Sequence, residues 1–177
     1  MRSAASKGLL ICALMALGCA AGATSREALV QSAVEALVGE CRAGEQSSCD
    51  TLAVMQSYEL CQQGNGLQCA TAGFAFATGR GIDQNETTAA GLFLLGCDAD
   101  YLPACSILAS RFAAGKGVEQ DFRQAIYFYA KACDGGFADG CAALGVIYTA
   151  GAGVERDAAR ARKYFERACS LGSAEHC

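Results

Sequence analysis

The chain has 177 residues, 53% of them apolar, with 18 acidic against 14 basic residues and a net charge of −4. That length fits one compact domain or one short repeat array, and no stretch beyond the N-terminus is apolar enough to span a membrane. Abundant alanine and glycine, a single proline (Pro103) and no tryptophan favour closely packed short helices over sheet, and the absence of a basic cluster argues against nucleic acid as a partner.

Residues 1–23 read as an export signal. Arg2 and Lys7 supply positive charge, Gly8 to Leu17 is an apolar core too short for an ordinary span, and Ala21-Gly22-Ala23 offers a small-x-small cleavage pattern. A second route is lipoprotein processing before Cys19, since Met15 to Cys19 resembles a bacterial lipobox, although Ala16 and Leu17 depart from its usual residues. A lipid on Cys19 would tether the chain without spanning the membrane. A retained membrane anchor is the third reading. Cleavage after Ala23 would take the net charge to −6, because Arg2 and Lys7 leave and no acid does. Export would place the chain in the periplasm, in the cell envelope or outside the cell.

Residues 24–68 read as irregular capping helices with a shortened repeat. One helix is expected over Thr24 to Cys41, with Thr24 and Glu27 as a capping box, and another over Asp50 to Cys61. Full repeats follow at 69–104, 105–140 and 141–177. Cys61, Cys97, Cys133 and Cys169 recur every 36 residues, as do Cys69, Cys105 and Cys141. A fixed period in the thirties marks a helical repeat array. Seven residues after each leading cysteine stands an aromatic (Phe76, Phe112, Tyr148). Gly-x-Gly and an aliphatic follow: Gly79, Gly81, Ile82; Gly115, Gly117, Val118; Gly151, Gly153, Val154. The first glycine suits a helix C-cap and the second a tight turn, with the aliphatic plugging the loop into the core. Asn85, Asp121 and Asp157 are natural N-caps for the second helix, which carries Phe93, Tyr129 or Phe165 four residues before its closing cysteine. Three residues past that cysteine, Gly64, Gly136 and Gly172 fit a helix stop, and Asp100 takes that place once.

Beyond Cys12 and Cys19, ten cysteines remain, in five pairs with seven residues between partners. Structural zinc prefers two to four intervening residues, and the sole histidine is His176. Haem-attachment and thioredoxin motifs are absent, so neither a metal nor a cofactor is expected. An even count behind an export signal reads as a disulfide framework. Local pairing as 41–49, 61–69, 97–105, 133–141 and 169–177 uses every one of the ten. The rival hairpin pairing, such as Cys69 with Cys97, strands Cys41 and Cys177 and forces Cys49 onto Cys61. Twelve residues of helix put those two roughly 18 Å apart, against a limit of about 7 Å for bridged α-carbons.

Gly151, Gly153, Val154, Asp157, Ala161, Tyr164, Phe165, Arg167, Ala168 and Cys169, with their counterparts in the earlier units, carry a pattern that resembles the Sel1-like repeat. The paired cysteines make it similar to the cysteine-rich Helicobacter (Hcp) branch, over about residues 49–177. The resemblance implies an all-α solenoid of αα-hairpins, a tetratricopeptide-like superhelix with one disulfide per repeat. It also implies a role as adaptor or scaffold, and some cysteine-rich relatives have been classed as penicillin-binding proteins or β-lactamases.

A binding module is therefore the leading expectation, with another protein or a peptidoglycan-related ligand on the concave face and no catalytic residues. Arg80, Arg111, Lys116 and Tyr127 are candidate contact residues, each also readable as an ordinary solvated or packing side chain. The enzyme alternative, β-lactam hydrolysis, rests on resemblance alone: Ser-x-x-Lys and Lys-Thr-Gly are both missing. A haem binder or redox protein with partly reduced cysteines is a third reading. Asn85-Glu86-Thr87 matches a glycosylation sequon but reads first as a helix cap.

Overall fold

The computed structural model describes residues 23–177; the export and lipobox readings, with Cys12 and Cys19, fall on residues outside it. The described chain is all-α: α1 (Ala23–Arg42), α2 (Gln46–Gln62), α3 (Gly66–Thr78), α4 (Glu86–Asp98), α5 (Leu102–Ala114), α6 (Phe122–Asp134), α7 (Ala138–Ala150) and α8 (Ala158–Ser170), then a 3-10 turn over Ala174–His176. Each helix packs on its neighbours in sequence, and α2 also meets α4 as α3 meets α5. This is the αα-hairpin solenoid that the 36-residue period predicts. Among the described residues no helix is long and apolar enough to cross a membrane.

Three hairpins, α3/α4, α5/α6 and α7/α8, are built from 13-residue helices. Their first helices start three residues before the leading cysteine. The Gly-x-Gly turn works as its composition suggests. Gly79, Gly115 and Gly151 cap their helices at φ of 74°, 68° and 75°, a conformation open to glycine at little cost. Asn85, Asp121 and Asp157 then accept hydrogen bonds from the first-turn amides of Thr88, Arg123 and Gln124, and Arg160.

Two expectations at the N-terminal end need revision. The helix already runs at Ala23, so Thr24 lies inside α1 and does not cap it. The second helix starts at Gln46, four residues before Asp50, so α2 is a single 17-residue helix. It begins three residues before Cys49, as a first helix does, and ends one residue after Cys61, as a second helix does. The shortened unit thus fuses two helices into one.

Five disulfides, Cys41–Cys49, Cys61–Cys69, Cys97–Cys105, Cys133–Cys141 and Cys169–Cys177, join the end of one helix to the first turn of the next or, at the C-terminus, to the last residue. Their α-carbons lie 4.5–5.0 Å apart. Between each pair the helix closes with a 6→1 amide bond, such as Tyr101 to Gly96 (3.0 Å) and Phe137 to Ala132 (2.9 Å), the Schellman geometry. That motif requires positive φ at Gly44, Gly64, Gly136 and Gly172, and at Asp100, whose φ is 56°.

Small side chains let the helices approach. Ala89, Ala104, Ala109, Ala125, Ala132 and Ala168 are fully buried. The Phe93 ring lies on Gly73 and the Phe165 ring on Gly145. Polar bridges tie successive hairpins: Arg111 pairs with Glu86, Lys131 Nζ donates to the Cys97 carbonyl (2.9 Å), and Arg167 pairs with Asp134 (2.8 Å).

Candidate functional site

On α3 the residues Leu67, Thr71, Phe74 and Thr78 recur at spacings of four, three and four and so share one face. That face points into solvent: Leu67 is 51% and Phe74 50% exposed. The hydroxyls of Thr71 and Thr78 are turned back onto the helix carbonyls of Leu67 (3.0 Å) and Phe74 (2.8 Å). With their donors satisfied internally, the threonines offer little polarity outward, and the face is more apolar than its composition.

Between α2 and α3 this face drops into a groove of about 670 Å³ whose floor includes Val54, Ser57 and Ala75, with Phe74 on its wall. Phe74 is held edge-on against the buried Phe93 at 5.1 Å. At the rim Arg80 grips Asp50 through two hydrogen bonds of 3.1 and 3.3 Å. That bond holds the Asp50 carboxyl below its ordinary range and raises the Arg80 guanidinium. The equivalent face continues on the later first helices as Ile107 and Ser110 on α5 and Ala143 and Val146 on α7, where Val146 is 55% exposed. The α3 portion carries the face's one aromatic side chain, Phe74.

The four candidate contact residues do not converge. Arg80 lines the groove. Arg111 is spent internally, paired with Glu86 and lying over the Phe93 ring at 4.8 Å; it packs hairpins together and is not presented to a ligand. Lys116 stands exposed on the α5–α6 turn, and Tyr127 is exposed on α6. The groove residues Phe74 and Val54 escaped the sequence reading, which sought polar contacts; the spacing of Leu67 and Phe74 outside the buried positions was the available signal. Folding nonetheless brings three cations side by side, two of them paired with Asp157 and Asp134. Arg160, Lys163 and Arg167 line one hollow with Tyr148 and Tyr164.

Among the described residues no group of three or more histidines, cysteines or acids could hold a metal ion. The ten cysteines from Cys41 onward are all in disulfides. The groove brings Ala53, Val54, Phe74 and Ala75 together with the Arg80–Asp50 pair at its edge.

The Sel1 repeat model matches residues 68–101, 102–137 and 138–173. No curated protein matches the chain. Among solved structures, cysteine rich protein B of Helicobacter pylori is similar, with 28% identity, a TM-score of 0.60, and coverage of 74% of this chain and 94% of its own. A Sel1 repeat protein from Oxalobacter formigenes shares the fold at 19% identity and a TM-score of 0.61, over 71% of this chain and 57% of its own. A protective antigen present in uropathogenic Escherichia coli strains, displaying an SLR fold, superposes with a TM-score of 0.67 at 18% identity, over 97% of this chain and 39% of its own. This chain therefore spans little more than half of the Oxalobacter protein and under half of the E. coli antigen.

Proposed function

The chain belongs to the Sel1-repeat family, and on that premise we propose that it is an exported scaffold that seats a partner protein on the α3 face and the α2/α3 groove. Sel1-type hairpin arrays support a protein-interaction role as a class. The observation that carries the finer reading is the half-exposed Phe74, clamped on a rigid helix beside an apolar groove. Contiguous apolar surface on an ordered scaffold marks an interaction site, and a rigid aromatic anchor costs little conformational entropy on binding. The disulfide framework and the leader-like N-terminus support export, because bridges of this density persist in oxidising compartments. No observation favours a peptidoglycan-related ligand, a β-lactam reaction or a lipid anchor over this reading.

A photo-crosslinking side chain at position 74 tests it. Crosslinking in envelope extracts is expected to capture a protein that the same group at Glu119, on the α5–α6 turn, does not. That protein, once purified, is expected to co-elute with the wild-type chain and to lose at least tenfold in affinity for Phe74→Glu, about 1.4 kcal/mol. Capture of the same species from both positions would refute the groove as the docking site.

A further inference from the structure

We propose that the α7/α8 hairpin carries a second binding site, for a short acidic segment of a partner protein, on the hollow framed by Arg160, Lys163 and Arg167. The inference rests on the scaffold reading but uses a different face of the molecule.

Arg160, Lys163 and Arg167 fall at spacings of three and four on α8 and line a hollow of about 340 Å³ with Tyr148 and Tyr164. The two tyrosine rings stack at 5.6 Å and 7°. Arg160 lies over the Tyr148 ring at 5.6 Å while pairing with Asp157 at 3.2 Å, and Arg167 pairs with Asp134 at 2.8 Å. Two carboxylates thus face three cations, and the exposed Lys163 has no partner among the described residues. The hollow is positive in a molecule whose net charge is −4. Partial burial pushes the Tyr164 hydroxyl up, so it stays neutral and does not oppose an anion at physiological pH.

A carboxylate with an apolar flank fits this lining: the cations accept the charge and the stacked rings accept the flank. Length separates a peptide from a polyanion. From Arg160 to Arg167 the cations span about 10 Å of helix, the reach of three extended residues at roughly 3.3 Å each. Asp157 and Asp134, paired with Arg160 and Arg167 at the two ends of the patch, limit how far an anionic strand such as a nucleic acid can run along it.

Fluorescence anisotropy on the oxidised full-length chain tests the proposal with a fluorescein-labelled Glu-Glu-Leu-Glu-Glu peptide and its Gln-Gln-Leu-Gln-Gln counterpart. The acidic peptide is expected to bind and to weaken with salt, and the glutamine peptide is expected to bind at least tenfold more weakly. Lys163→Glu should lose about tenfold in affinity, while Lys116→Glu, with the same change in net charge, stays within about twofold. Equal losses in the two variants, equal binding of both peptides, or stronger competition by a single-stranded oligonucleotide of matched charge would each overturn it. Crosslinking from position 74 in the Lys163→Glu chain separates the two readings: partner capture there with no peptide binding by wild type sinks this site and leaves the scaffold standing.

Discussion

Gly117 sits at a φ of 73°, and a β-carbon there would run into the backbone of Glu86 and Thr87 in the preceding hairpin. Gly81 approaches the Asp50 backbone in the same way, and Gly153 the Phe122 side chain, in each case 31 residues back. The second glycine of the turn is therefore a contact between repeats as well as a loop residue. Its sequence neighbourhood predicts the turn and is silent on the contact, because the partner lies in another unit. Gly117→Ala is expected to cost at least about 2 kcal/mol, by denaturant unfolding of the oxidised protein; a loss below about 0.5 kcal/mol would mean that the turn relaxes freely. Asp100 is the converse case. It holds a left-handed conformation where the matching helix stops use glycine, so Asp100→Gly should gain roughly 0.5–1 kcal/mol, read as a rise in Tm. Arg111 illustrates the same limit on reading: its partners Glu86 and Phe93 are 25 and 18 residues away, so the sequence leaves a packing role and a ligand contact both open.

At the scale of elements, the caps and the hairpin turns were legible because their determinants are local. Glycine after a helix and Asn or Asp before one act within a few residues. The fusion of two helices into α2 was harder to see: Cys61 follows Cys49 by 12 residues where Cys97 follows Cys69 by 28, and that shortening says what is missing and not how the remainder closes. The connectors differ in exposure. Cys61, Cys69, Cys97, Cys105, Cys133 and Cys141 are buried, whereas Cys41, Cys49 and Cys169 are part-exposed and Cys177 is exposed. Thiol exchange needs access to a sulfur, so limited reduction followed by alkylation should open Cys169–Cys177 and Cys41–Cys49 before the three inner bridges. Labelling of Cys97 or Cys105 at the same rate as Cys177 would contradict that order. Each nine-residue ring limits the unfolded chain and is worth roughly 2.6 kcal/mol in the loop-entropy account.

For the molecule as a whole, the 36-residue period made the hairpin array readable from sequence alone, and its two candidate surfaces were not. An apolar face such as Leu67 and Phe74 is composed like a core stripe until the packing shows which side is left uncovered. The hollow's three cations all stand on α8, but Asp157 and Glu166 lie among or beside them in the chain and the Tyr148 that completes the lining comes from α7, so no unbroken run of charge announces it. The connectors carry a last implication, for how such a gene changes size. The Cys61–Cys69, Cys97–Cys105 and Cys133–Cys141 bridges each take one sulfur from the end of a unit and the other from the start of its successor. Excising residues 69–104 would leave Cys61 eight positions from Cys105, the separation that every bridge already has. Unequal crossing-over can therefore lengthen or shorten the array by whole periods without ever creating an orphan thiol.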